Sequence, residues 1–239
     1  FLYIQQKKII FFKKYIHILI ISIFAKKIMK QIITIDIGNT RAKYAIFEDD
    51  IMIELSVFDP YSDDLERVLQ KYPNIEKGIL SSVGGKIEEC LKQLQKIEVI
   101  TLSGTTPLPF KLAYNEIGSD RIVAVAAAIK EKPHQNSLVI DIGTCITYDI
   151  ITSDKIHYAG SISPGINLRF KSMNDYTNKL PLCMPKKDEI NYIHKTTEAC
   201  LRSGVMNGIA FEIEGFIRAY SNIFKNFKST AICFLLWIT

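Results

Sequence analysis

The sequence predicts an α/β layer structure built from two related halves. Two observations carry that expectation. Short apolar strands alternate with helical stretches along the chain, the arrangement that packs helices on a sheet. One strand–turn–strand pattern also occurs twice, as Ile35-Asp36-Ile37-Gly38-Asn39-Thr40 and as Ile140-Asp141-Ile142-Gly143-Thr144. An apolar run precedes each copy: Ile32 and Ile33 in the first, Leu138 and Val139 in the second. A return strand follows each, Ala42 to Phe47 and Ile146 to Ile151.

The first half reads in order as follows. Ile32–Ile35, Ala42–Phe47 and Met52–Phe58 form a β-meander that Asp59-Pro60 breaks. Leu65 to Leu69 has helical spacing, with Asp63 and Asp64 placed at its start. Gly78 to Val83 is a short apolar strand entering a Gly84-Gly85 turn; Ile87 to Leu94 is helical, and Glu98 to Leu102 is a strand. A loop with Pro107 and Pro109 leads to Gly118-Ser119-Asp120-Arg121, which opens an alanine-rich, wholly apolar helix over Ile122 to Ile129. Gly, Ser and Asp suit a helix N-terminus, so a capping role for Asp120 is the plain structural reading. Lys132-Pro133 closes the helix and divides the chain into domains at 29–132 and 133–239.

The second half repeats the theme with Leu138–Ile142. His157 to Gly165 is a strand with a glycine-bounded turn, Ile166 to Tyr176 is a helix, and another helix starts at Thr196-Thr197-Glu198 and runs to about Tyr220. Gly204, Gly208 and Gly215 lie on that last helix, where glycine is costly. They predict close packing against another backbone, within the chain or across a dimer interface. The apolar tail from Lys228 to Thr239 shows no finishing element.

The repeated turn has a chemical use. Glycine lets other groups approach the backbone closely. Backbone N–H groups in such a turn, with hydroxyls such as Thr40 and Thr144, wrap an anion. A carboxylate beside it holds a cation that accompanies a phosphate. The competing reading is two ordinary β-hairpins. Two near-identical copies favour phosphate, and hence two halves facing one nucleotide.

Composition narrows the partners. All the charge in residues 1–28 comes from six lysines (Lys7, Lys8, Lys13, Lys14, Lys26, Lys27), so the formal net charge of +5 leaves a nearly neutral body and no case for nucleic acid. Residues 1–28 are rich in Phe, Ile, Tyr and Lys, and Met29 is the expected native start, with the preceding stretch a non-native upstream extension. The uncharged run Tyr15 to Ala25 is shorter than a membrane span needs. Lys26-Lys27 stands where a signal peptide would have its small-residue cleavage site. The five cysteines are scattered without a C-x-x-C, which fits reduced thiols and a cytoplasmic protein. The four histidines have no metal-ligand spacing, and surface or packed imidazoles are the better reading.

Taken together, Asp36-Ile37-Gly38-Asn39-Thr40 with Lys43, then Gly118-Ser119-Asp120-Arg121, Asp141-Ile142-Gly143-Thr144, Gly160-Ser161-Ile162-Ser163-Pro164-Gly165 and Thr197-Glu198 resemble type III pantothenate kinase in order and approximate spacing. The resemblance covers residues 29–220, and G-x-D-R between the two phosphate motifs is its discriminating member. It implies an actin-like ATPase (ASKHA) fold: two ribonuclease-H-like domains with an interdomain nucleotide cleft, assembled as a homodimer. It also implies phosphorylation of pantothenate by ATP, the first step of coenzyme A synthesis. A divalent cation such as Mg²⁺ and a monovalent one, K⁺ or NH₄⁺, would be needed.

Site residues follow from the same resemblance. Asp36, Ile37, Gly38, Asn39, Thr40, Arg41, Ala42 and Lys43 correspond to the first ATP phosphate motif, with Asp36 holding Mg²⁺ through water. Asp120 corresponds to the general base. Gly118, Ser119, Asp120, Arg121, Tyr114 and Thr197 correspond to the pantothenate site, Asp141 to the monovalent-cation ligand and Thr144 to an ATP contact. Two departures stand out. Tyr114 lies only four residues before Gly118 with no proline between. The family's closing strand and T-G-G-D-like turn have no match after Tyr220, so the end resembles a truncated or frameshifted one. The alternative reading is therefore a catalytically impaired, actin-like module that binds a nucleotide or a partner.

Overall fold

The computed structural model describes residues 31–38, 41–49, 51–83, 87–186, 191–224 and the backbone of 231–235. Met29 and the stretch before it, Asn39, Thr40 and the Gly84-Gly85 turn lie outside the described residues. The chain divides into two compact units. One contains residues 31–134 with Ser153–Tyr158; the other contains Gln135–Thr152 and the described residues from Ala159 onward.

In the first unit, strands β1 (Gln31–Ile37), β2 (Ala42–Glu48), β3 (Ile51–Phe58), β4 (Ile75–Ser82) and β5 (Glu98–Thr101) form one sheet in the order β3-β2-β1-β4-β5. β1, β2 and β3 make the expected antiparallel meander, and β4 runs parallel to β1 on its other side. Ile32, Ile33 and Ile35 are fully inside. Near-continuous β-branched runs suit a central strand covered on both faces. Helices α1 (Asp64–Lys71) and α2 (Ile87–Gln93) cover the sheet through Leu65, Val68 and Cys90. The alanine-rich helix α3 (Ser119–Glu131) is buried continuously from Arg121 to Ala128. Small side chains allow that depth of burial all round. Ser153–Tyr158 joins this unit where Ile156 bridges Lys111 and the His157 N–H reaches the Lys111 carbonyl at 2.9 Å.

The second sheet is formed by β6 (Ser137–Ile142), β7 (Cys145–Ile151), β8 (His157–Pro164) and β9 (Ala231–Leu235) in the order β8-β7-β6-β9, and the second unit holds it from Ala159 onward in β8. β6 and β7 are antiparallel, and β6 pairs in parallel with β9. The order repeats that of the first sheet, with β9 in the place of β4. The expectation that no strand follows Tyr220 is therefore corrected: the tail supplies one, because Ala231–Leu235 is an apolar stretch whose backbone pairs with β6. The T-G-G-D-like turn still has no match in the sequence after Tyr220. Helices α4 (Ile166–Asp175) and α5 (Thr197–Ile223) pack on this sheet through Phe170, Leu201, Val205, Ile209 and Ile213. Thr196 caps α5 by accepting the Ala199 N–H at 3.3 Å.

The glycines of α5 are also corrected in part. A Cβ added at Gly204, Gly208 or Gly215 would meet nothing within 4 Å, so no intramolecular backbone approach among the described residues explains them.

Candidate active site

The predicted residues fall into two groups, one within each unit. In the first, Asp36 sits one residue from the end of β1. In register it faces Lys43 on β2 and Ser81 on β4. Residues directly opposite in a sheet project to the same face, so carboxylate, ammonium and hydroxyl meet there. The chain closes the following turn with the Gly38 N–H donating to the Arg41 carbonyl at 3.1 Å.

The start of α3 is locked to the end of β4. The Ser119 and Ser81 hydroxyls are 2.9 Å apart, and the Ser119 hydroxyl also accepts the Ser82 N–H at 3.1 Å. Both serines are buried, so their mutual satisfaction matters. This latch fixes Asp120, one residue on, near Asp36. Burial pushes the Asp36 carboxyl from an ordinary 3.8 up to about 6. Lys43 opposes the rise, the Asp120 carboxylate adds to it, and a hydrogen bond from Ser81 opposes it. Two neighbouring carboxylates, one of them buried, suit a cation or a proton between them.

Asp120 is not the helix cap. Gly118 occupies that position with φ −58° and ψ 138°, and no side chain caps the helix. Asp120 lies in the first turn and its Oδ1 accepts the Arg121 N–H at 2.8 Å. Ser119 is committed to the β4 latch, which moves the cap to Gly118 and leaves the Asp120 carboxylate on the helix's open end. Arg121 is buried, and its guanidinium donates to the Tyr114 hydroxyl at 3.3 Å. Tyr114 itself is 42% exposed, so its short separation from Gly118 in sequence does not keep it from this group.

In the second unit, Asp141 is buried near the end of β6. It keeps other contacts, while its Oδ1 is buried without a hydrogen bond. The turn beyond it, Gly143-Thr144, is closed by the Gly143 N–H on the Cys145 carbonyl at 2.9 Å. Gly165, just after β8, donates its N–H to the Thr144 carbonyl at 2.9 Å. A Cβ at Gly165 would lie 2.1 Å from the Gly143 oxygen, so only glycine fits there. The two motifs, far apart in sequence, are thus one contact. Thr197 is the first residue of α5 and exposed.

Three residues beside this turn, Glu212, Arg169 and Tyr148, were not singled out by the sequence, and they meet Ser163, which was. Glu212 on α5 accepts from the Tyr148 hydroxyl at 2.7 Å and the Ser163 hydroxyl at 2.5 Å, and it pairs with Arg169 on α4. Burial raises the Glu212 carboxyl, but hydrogen bonds from Ser163, Arg169 and Tyr148 outweigh it and hold the group below the usual carboxylate range. The four come from four elements, and no local spacing announces that they meet.

Comparison with known proteins agrees with the residue pattern. Residues 32–219 match the family model described as type III pantothenate kinase. A type III pantothenate kinase of Christiangramia forsetii is 40% identical over 200 residues, covering 81% of this chain and 82% of the relative. The Flavobacterium johnsoniae protein of the same name is 38% identical over 203 residues, covering 82% and 83%. A crystal structure from Campylobacter jejuni, named for the Baf family of transcriptional activators, shares the fold at a TM-score of 0.51 and 22% identity, covering 84% of this chain and 90% of that one.

Proposed function

The chain belongs to the type III pantothenate kinase family, and on that premise we propose how its own residues carry the transfer of the γ-phosphoryl group of ATP to the primary hydroxyl of pantothenate, the first step of coenzyme A synthesis. The observation that carries the reading is Asp120, held at the head of α3 by the Ser119–Ser81 latch and near enough to Asp36 to raise its pKa. Asp120 accepts the hydroxyl proton as the new O–P bond forms. The bond from the γ-phosphorus to the bridging oxygen breaks, and ADP leaves. A carboxylate within hydrogen-bond reach of the hydroxyl meets the requirement of a general base.

The residues fit the ions that such a reaction needs. Asp36, pushed up to about 6 by burial with a second carboxylate nearby, gains by facing a cation, and it would hold hydrated Mg²⁺. Bound there with ATP, a divalent ion would supply positive charge against the negative charge that develops on the phosphate. Ile37, Gly38, Asn39, Thr40, Arg41, Ala42 and Lys43 line the phosphate tail. Asp141 would hold K⁺ or NH₄⁺ through its carboxylate, and Thr144 contacts ATP. Gly118, Ser119, Arg121, Tyr114 and Thr197 hold pantothenate; the buried Arg121 guanidinium is the partner for its carboxylate.

The fold is the actin-like one, and the strand order 3-2-1-4 repeated in the two sheets supports two ribonuclease-H-like domains. The open glycine face of α5 supports a homodimer, since small residues let a second backbone approach. No helix among the described residues is long and apolar enough to cross a membrane, and we place the enzyme in the cytoplasm.

The test is pantothenate phosphorylation by the full chain with ATP, Mg²⁺ and K⁺, wild type beside Asp120→Asn. Turnover by the wild type that collapses in the variant is expected. Equal turnover in both would remove Asp120 as the base, and no turnover by well-folded wild type would sink the assignment.

A further inference from the structure

One peptide group in the second unit is held at both ends. The Pro164 carbonyl accepts from Nε of Arg169 at 2.8 Å. The N–H of that same peptide, on Gly165, donates to the Thr144 carbonyl at 2.9 Å. The Arg169 backbone N–H also reaches the Gly165 carbonyl at 3.0 Å. Glu212 fixes the guanidinium from the far side through Nη2. A chain of hydrogen bonds therefore runs from a carboxylate on α5, through an arginine on α4 and a peptide plane, to the Gly143-Thr144 turn.

We infer that Glu212 and Arg169 are positioning residues for that turn and, resting on the assignment of Thr144 to ATP above, set the enzyme's affinity for its nucleotide. Three physical points carry this. A charged donor on the Pro164 carbonyl fixes the peptide plane, and a plane rotated away would take the Gly165 N–H from Thr144. Each bond in such a chain polarises the next, so a charge at one end strengthens the last link. The packing leaves the turn no other place to rest, because Gly165 already touches the Gly143 oxygen so closely that a methyl group would not fit. Arginine suits the task because its planar fork serves the Glu212 carboxylate and the Pro164 carbonyl at once; lysine offers a point charge.

The experiment compares Glu212→Gln, Arg169→Lys and Tyr148→Phe with wild type in the full chain. ATP affinity is measured by calorimetry without pantothenate, and KM for ATP and for pantothenate is measured in turnover. Glu212→Gln and Arg169→Lys are expected to weaken ATP binding about tenfold, the usual size for loss of a group that orients a binding residue. KM for pantothenate should stay put. Tyr148→Phe removes a bond to Glu212 but leaves the arginine arm, and should leave ATP affinity where it was. A merely structural role would lower the folded fraction and the apparent kcat without splitting the two KM values. Unchanged ATP affinity in Glu212→Gln and Arg169→Lys overturns the inference. If Glu212→Gln fails to fold, Arg169→Lys decides it alone, since it keeps the charge opposite Glu212. Wild type that binds ATP but phosphorylates no pantothenate would sink the proposed substrate and leave this comparison of affinities standing.

Discussion

At the first Asp-x-Gly turn, the Asp36 carboxylate stands between Lys43 and Ser81 with Asp120 close by, and burial lifts its pKa to about 6. At the second, Gly165 sits against the Gly143-Thr144 backbone, and Arg169 and Glu212 brace it from behind. Both turns join the first two strands, antiparallel and interior, of the same 3-2-1-4 topology. The hairpin reading holds for both turns, and it is compatible with the proposed phosphate role, since a hairpin is a means of presenting such a turn. What differs is how each turn is supported. The first carries a buried carboxylate whose charge Lys43 and Ser81 offset only in part. The second is clamped by packing and a satisfied polar network. The lesson is that a motif copied within a chain keeps its backbone path while its surroundings set its chemistry.

The largest effect that tests this contrast is on catalysis. Asp120→Asn should lower kcat by about 10³-fold, the middle of the range for losing a general base. Steady-state kinetics at saturating ATP reads it. The same variant removes a carboxylate from beside Asp36, so the low-pH inflection in kcat/KM for ATP should move downward. An inflection that stays in place would mean the two carboxylates do not interact.

Next in size is a stability gain at the charged turn. The native state binds a proton at Asp36 more tightly than the unfolded chain does, so stability falls as pH rises from about 4 to about 6 and the cost is in full above that. A rise of roughly two units corresponds to about 3 kcal/mol. Asp36→Asn should therefore raise the ligand-free melting temperature at pH 8, flatten its pH dependence between 4 and 6, and abolish turnover. Thermal unfolding in buffers from pH 4 to 8 checks the sign, and a variant less stable than wild type at pH 8 would contradict it.

At the clamped turn the same kind of change goes the other way. Gly165→Ala places a methyl group against the Gly143 oxygen. Overpacking of that kind costs about 2 kcal/mol. Denaturant titration should show the loss, and ATP affinity should fall with it. Smallest is Tyr114→Phe. It removes a hydroxyl that Arg121 reaches at 3.3 Å and should raise KM for pantothenate about fivefold while leaving KM for ATP unchanged. Equal shifts in both would place Tyr114 outside the substrate group.

Much of this was legible along the chain. Period and punctuation located every strand and helix of the described residues but one. The ordered motifs named the family before any coordinates. The elements that escaped did so for physical reasons. β9 carries no turn signal or alternation of its own, and it becomes a strand because β6 presents an unpaired edge. Asp120 reads as a cap from its place in Gly-Ser-Asp-Arg, and only the serine latch to β4 shows that the cap has moved to Gly118. Glu212 and Arg169 are ordinary surface-type residues in sequence, 43 positions apart, and meet only once α4 and α5 pack.

By itself the sequence determined the local path: β-branched runs that must be strands, glycines where the chain turns, an alanine helix small enough to bury, and an order of motifs that identifies the family. These are short-range preferences, readable because each rests on a residue and its near neighbours. The tertiary structure decided which carboxylate is pushed up, which turn is braced, and which glycine has no room for a methyl group. Those properties depend on burial and on groups brought together from distant strands and helices, and solvation and close packing exist only after the chain has folded.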